Sequence, residues 1–74
     1  MENFDHILLF KTDIKSESDR RVVQSVLDAQ QNIAGWNIDL DDEDYVLRIV
    51  SHHLKHQQII KLITDHGYEC CELK

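Results

Sequence analysis

The chain has 74 residues, eight basic and fourteen acidic, for a net charge of -6. That length predicts one domain over residues 1–74, with a thin core and modest stability. The acidic balance argues against binding to a phosphate backbone or an anionic membrane surface, and no apolar run approaches the roughly 18 residues that span a bilayer.

Residues 1–6 (MENFDH) lack the basic region and cleavage site of a signal peptide, so a cytoplasmic location is expected. Cys70 and Cys71 are adjacent. Neighbouring Cα atoms lie about 3.8 Å apart, whereas a disulfide wants roughly 4.4–6.8 Å. Two free thiols are therefore expected, in keeping with a reducing compartment.

Along the chain, residues 6–12 (HILLFKT) hold four consecutive apolar residues and read as a buried central strand. Ser16, three before Asp19, resembles a capping box with Asp in place of Glu, so a helix should follow. Val22, Val23, Val26, Leu27 and Ala29 recur at helical spacing, and helicity should fade near Asn32. Trp36, Ile38 and Leu40 alternate with polar residues as a half-buried strand. Residues 41–44 (DDED) form an acidic hairpin tip, and residues 45–50 (YVLRIV) the next strand. Leu54, Ile59, Ile60, Leu62 and Ile63 mark a second amphipathic helix, closed by Gly67 in a left-handed conformation. Residues 68–73 (YECCEL) form the last strand.

The order β-α-β-β-α-β predicts an α+β, ferredoxin-like fold, with two helices on one face of a four-stranded sheet and the other face open. The first and third strands are central. The second and fourth are edges.

Residues 32–40 (NIAGWNIDL) resemble the Gly-Val-x-x-Val-x-Val-Asp-Leu stretch of the heavy-metal-associated domain family of copper chaperones and metal ATPases. Residues 59–70 (IIKLITDHGYEC) resemble that family's Ile-Ile-x-x-Ile-x-x-x-Gly-Tyr-x-Ala, and Val23 and Leu27 take the places of its Ile and Leu. The likeness covers nearly the whole chain and implies the same fold. The family holds soft metal with a Met-x-Cys-x-x-Cys loop, whose positions carry over to Ile14, Ser16 and Asp19. A hydroxyl and a carboxylate are poor ligands for copper(I), so no metal is expected at Ser16 and Asp19.

Among other residues, His52 and His56 are four apart and would share a helical face if the second helix began early enough. With Cys71 they form the alternative metal site, for zinc, nickel or copper(II), against a plain polar loop. By the resemblance, Cys70 takes a small core position, and Cys71 faces the open side as the better candidate for a reactive thiol. Asp39, Asp41, Asp42, Glu43 and Asp44 lack the spacing of a calcium loop and read as a solvated tip. Phe4, Phe10, Trp36, Tyr45 and Tyr68 lack the basic signature of RNA-binding sheets, and Trp36 is expected in the core or at an edge. No catalytic set and no cofactor are expected. The reading that remains is a non-enzymatic protein-binding or adaptor module, its partner another protein or a second copy of this chain. A homodimer is expected to use the fourth-strand edge or the open sheet face, not the acidic hairpin.

Overall fold

Residues 6–73 are described by a computed structural model of the chain. The elements run β1 (Ile7–Thr12), α1 (Glu17–Asp28), β2 (Gly35–Ile38), β3 (Leu47–Val50), α2 (His56–Thr64) and β4 (Cys70–Glu72). The sheet order is β2-β3-β1-β4, with every neighbouring pair antiparallel. Both helices pack on one face, giving the ferredoxin-like α+β arrangement with β1 and β3 central.

Strand alternation sorts the sheet residues onto two sides. Leu8 and Phe10 of β1, Ile38 of β2, Leu47 and Ile49 of β3 and Cys70 of β4 form the core with Val23 and Leu27 of α1 and Ile59 and Ile63 of α2. Leu9 and Lys11 of β1, Asn37 of β2, Arg48 of β3 and Cys71 of β4 turn the other way and are exposed. Central β1 is therefore buried on one face only, which corrects the expectation from its four-residue apolar run.

Helix α1 starts where the cap places it. Ser16 is the N-cap, and its Oγ accepts the Asp19 N–H at 3.1 Å. Asp19 returns a bond through Oδ2, which accepts the Lys15 N–H at 3.3 Å. The helix ends at Asp28, with Ala29 as C-cap, several residues before the expected fade near Asn32. Only Val23 and Leu27 of its apolar residues are buried. Val22 is 45% exposed, and with Val26, Ala29 and Leu62 it lines an open groove between the helices.

Helix α2 begins later than its apolar spacing implies. Leu54 lies in the preceding loop, and Lys55 is an N-cap without a side-chain cap bond; its N–H donates instead to Gln58 Oε1 at 2.8 Å. Ile59 and Ile63 are buried, whereas Ile60 is half-buried, so Ile60 is not the core anchor its position in the pattern suggests. Gly67 has φ +90°, the left-handed conformation expected after the helix.

Strand β3 is also shorter than expected. Tyr45 sits at φ 45°, so the chain turns there and pairing begins at Leu47. The turn is fixed by bonds from β1: the Thr12 N–H donates to the Asp44 carbonyl at 3.1 Å, and the Thr12 hydroxyl to the Tyr45 carbonyl at 2.6 Å. No helix among the described residues is long and apolar enough to cross a membrane.

Candidate functional site

Three places bear on chemistry: the loop after β1, the histidine-rich loop before α2, and the open sheet face.

The β1–α1 loop is where the resemblance puts soft-metal ligands. Ile14 points inward and is fully buried. Ser16 is occupied as the cap of α1. Asp19 uses both carboxylate oxygens: Oδ2 accepts the Lys15 N–H, and Oδ1 accepts the Tyr68 hydroxyl at 3.2 Å. Interaction of the Ser16 hydroxyl with the carboxylate, helped by the Lys15 and Tyr68 bonds, outweighs desolvation and holds its pKa below the ordinary carboxylate value. Tyr68 moves the opposite way, raised by desolvation, then by its hydrogen bond to Asp19 and by the Asp19 charge. Asp13 Oδ1 accepts the Glu69 N–H at 2.8 Å and ties the loop to the segment before β4. These are hard oxygen donors already committed to helix capping and loop closure. They do not fit a soft cation.

The alternative set of His52, His56 and Cys71 is not brought together. His56 opens α2 whereas His52 lies in the loop, so they do not share a helical face. His56 faces β4, its Nε2 3.8 Å from Glu72 Oε1 and its ring 5.3 Å from that of Phe10. Cys71 lies on the opposite side of the sheet, paired in register with Lys11. Among the described residues no three His, Cys, Asp or Glu side chains gather closely enough to hold a metal ion.

The thiols divide as the strand pattern requires. Cys70 is in the core, and burial, then the neighbouring Cys71, pushes its pKa up to about 12. Cys71 is exposed. In the acidic tip, Asp39 Oδ1 accepts the Asp41 N–H at 3.0 Å and Asp42 Oδ1 the Asp44 N–H at 2.8 Å. These carboxylates build turns. Trp36 lies on edge strand β2, half-buried, and its Nε1 donates to Asp28 Oδ1 at 3.1 Å. Phe4 lies outside the described residues.

The open sheet face has a distinct charge pattern. Its apolar strip is Ile7, Leu9 and Val50, joined by Leu73, whose N–H donates to the Leu9 carbonyl at 3.0 Å. Leu9 is 38% exposed. Two cations flank the strip: Lys11, 3.5 Å from Asp44 at the sheet rim, and Arg48, which makes no ion pair among the described residues. The only carboxylate in a described strand, Glu72, turns to the helix side toward His56. Beside Arg48, the missing side chain of Gly35 opens a hollow of about 250 Å³ lined also by Asn37 and Val50. Net charge hides this asymmetry from a sequence reader. Sorting charges by strand parity would have found it.

No protein-family model matches the chain, and no curated protein matches it.

Proposed function

We propose that the chain is a non-enzymatic cytoplasmic adaptor module, related in scaffold to heavy-metal-associated domains but without their thiolate loop. Its open sheet face receives a partner protein through a segment carrying apolar side chains and a carboxylate. The observation that carries the reading is the segregation of charge. In a chain of net charge -6, the open-face strand positions among the described residues hold two cations, an apolar strip and no carboxylate. A carboxylate docking in the hollow beside Arg48 meets a guanidinium that makes no ion pair among the described residues, while Leu9 and Leu73 supply apolar area. Such complementarity favours encounter and orientation more than raw affinity.

The test is capture of binding partners from a native extract by the wild-type chain and by Arg48→Glu and Leu9→Asp. Both variants alter exposed positions and should fold, which circular dichroism checks. A stoichiometric partner retained by wild type, weakened by added salt and lost with either variant supports the open face. Retention by both variants contradicts it. A second copy as the retained partner makes the module a homodimer, and sedimentation across concentration reads that outcome directly.

A further inference from the structure

Edge strand β2 is short, and its register with β3 decides which of its backbone groups are left over. Just past its end the Asp39 N–H donates to the Val46 carbonyl at 3.0 Å, in step with the pairing of Asn37 with Arg48 and of Gly35 with Val50. Hydrogen-bonded pairs alternate along an antiparallel ladder, so Gly35, Asn37 and Asp39 direct their backbone groups to β3, and Trp36 and Ile38 direct theirs outward. No other strand borders that edge among the described residues. Gly35 and Asn37 share the open face with Arg48. There Gly35 leaves the hollow beside Arg48, and a Cβ at Gly35 would meet nothing within 4 Å. Asp39 is exposed, and among the described residues only its Oδ1 is engaged, by the Asp41 N–H at 3.0 Å.

We propose that two copies of this chain pair antiparallel through β2, each placing Asp39 over the other's Gly35 and toward its Arg48. Trp36 then pairs with the second copy's Ile38, and Ile38 with its Trp36. This register alone matches the outward residues of one β2 to those of the other, with the two-fold axis at Asn37. It sets Asp39 opposite Gly35 in a non-hydrogen-bonded pair, where side chains come closer. From Asp39 to the second copy's Arg48 is two strand spacings across and two residues along, roughly 12 Å between Cα atoms. An extended arginine and a carboxylate bridge that span, and the missing side chain of Gly35 opens the path between them. Like-charge repulsion argues against two acidic hairpins meeting side by side. Antiparallel pairing avoids it, because the acidic tips leave at opposite ends of the joined strands. The second strand, not the fourth, is then the self-pairing edge. This pairing rests on the reading of the hollow beside Arg48 as a carboxylate site, and a carboxylate of another protein competes for it.

Sedimentation of the whole chain up to millimolar concentration, with amide exchange by NMR, reads the pairing. The expected result is a concentration-dependent dimer whose formation slows exchange at the Trp36 and Ile38 amides. Arg48→Glu and Asp39→Lys should each weaken it by about tenfold or more, since each sets like charges together. An equimolar mixture of the two variants should restore it. The introduced lysine then meets the introduced glutamate at one contact, and the native Asp39 meets the native Arg48 at the other. Asp39→Asn keeps the turn acceptor for the Asp41 N–H and should still weaken the dimer. Capture of a different protein from extract, lost with Arg48→Glu but kept with Asp39→Lys, reports on the open face alone, so the two readings fail separately. A wild-type chain that stays monomeric at millimolar concentration overturns the self-pairing. So does a dimer that survives both single variants, a mixture that stays monomeric, or protection of the Cys70 and Glu72 amides in place of those of Trp36 and Ile38.

Discussion

The two faces of β1 differ sharply in exposure. Phe10 is fully buried under the helices, while Leu9, one residue away, is 38% exposed. Both are large and apolar, and the two lie within one unbroken apolar run. What separates them is direction: alternate side chains of a strand leave on opposite sides, and helices cover only one of those sides. The covered face holds the fold together. The uncovered face keeps apolar and cationic groups partly in contact with solvent.

The largest expected contrast is energetic. Phe10→Ala should cost about 3–5 kcal/mol, because it removes a buried ring and leaves a cavity. Leu9→Ser should cost about 1 kcal/mol, because Leu9 is 38% exposed and only part of its apolar area is lost from cover. The same contrast runs along α2, where Ile59→Ala should cost about 2–5 kcal/mol. Half-buried Ile60→Ala should cost about 1 kcal/mol. Chemical denaturation reads all four. Equal losses at Phe10 and Leu9 would break the distinction between the faces.

Smaller effects sharpen the account of the β1–α1 loop as a structural clasp. Ser16→Ala should cost about 1 kcal/mol through loss of the cap. Because Asp19 titrates low in the folded chain, its contribution is present above the ordinary carboxylate value of 3.8 and is lost as pH falls through its folded value. Tyr68 titrates high, so its contribution is present below 10.0 and is lost as pH rises through its folded value. Asp19→Asn should flatten the acid limb of the stability profile, and Tyr68→Phe the alkaline limb. Thermal melts across pH measure both, and unchanged limbs would mean that the clasp contributes nothing.

The fold was legible because its signals are periodic. The helical spacing of Val23 and Leu27, the glycine after α2 and the strand-like ends all act over a few residues, and they gave the element order and the edge strands. That Cys70 and Cys71 leave on opposite faces followed from the same alternation; the assignment of Cys70 to the core came from the family resemblance. The errors fell where a side-chain bond or a strand pairing overrides local preference. Tyr45 reads as a strand residue, yet Thr12, 33 positions away, holds its carbonyl in a turn. Leu54 fits the apolar spacing of α2, but the Ser51 hydroxyl binds its N–H and keeps it in the loop. The histidines show the same limit. His52 and His56 are close in sequence but separated by the helix start, whereas His6 and His52 meet only because β1 pairs with β3. Ile14 carried no periodic signal at all, being a loop residue that fills the core.

The thiols offer a third contrast between the faces. Cys71 should react with an alkylating reagent in the native chain, while Cys70, buried and with its thiol pKa at about 12, should react only on unfolding. Mass spectrometry of the labelled native chain distinguishes one modified site from two.

That difference in reactivity also supplies the most direct test of the open face as a docking surface. A photo-crosslinker attached to Cys71 reports from the open side of the sheet. The same probe on Val22→Cys, in a Cys71→Ser background, reports from the groove between the helices. With extract and illumination, the account predicts one specific protein adduct from the Cys71 probe, suppressed by Arg48→Glu, and none from the Val22 position. An adduct formed only from the groove, or one from Cys71 indifferent to Arg48→Glu, would contradict it.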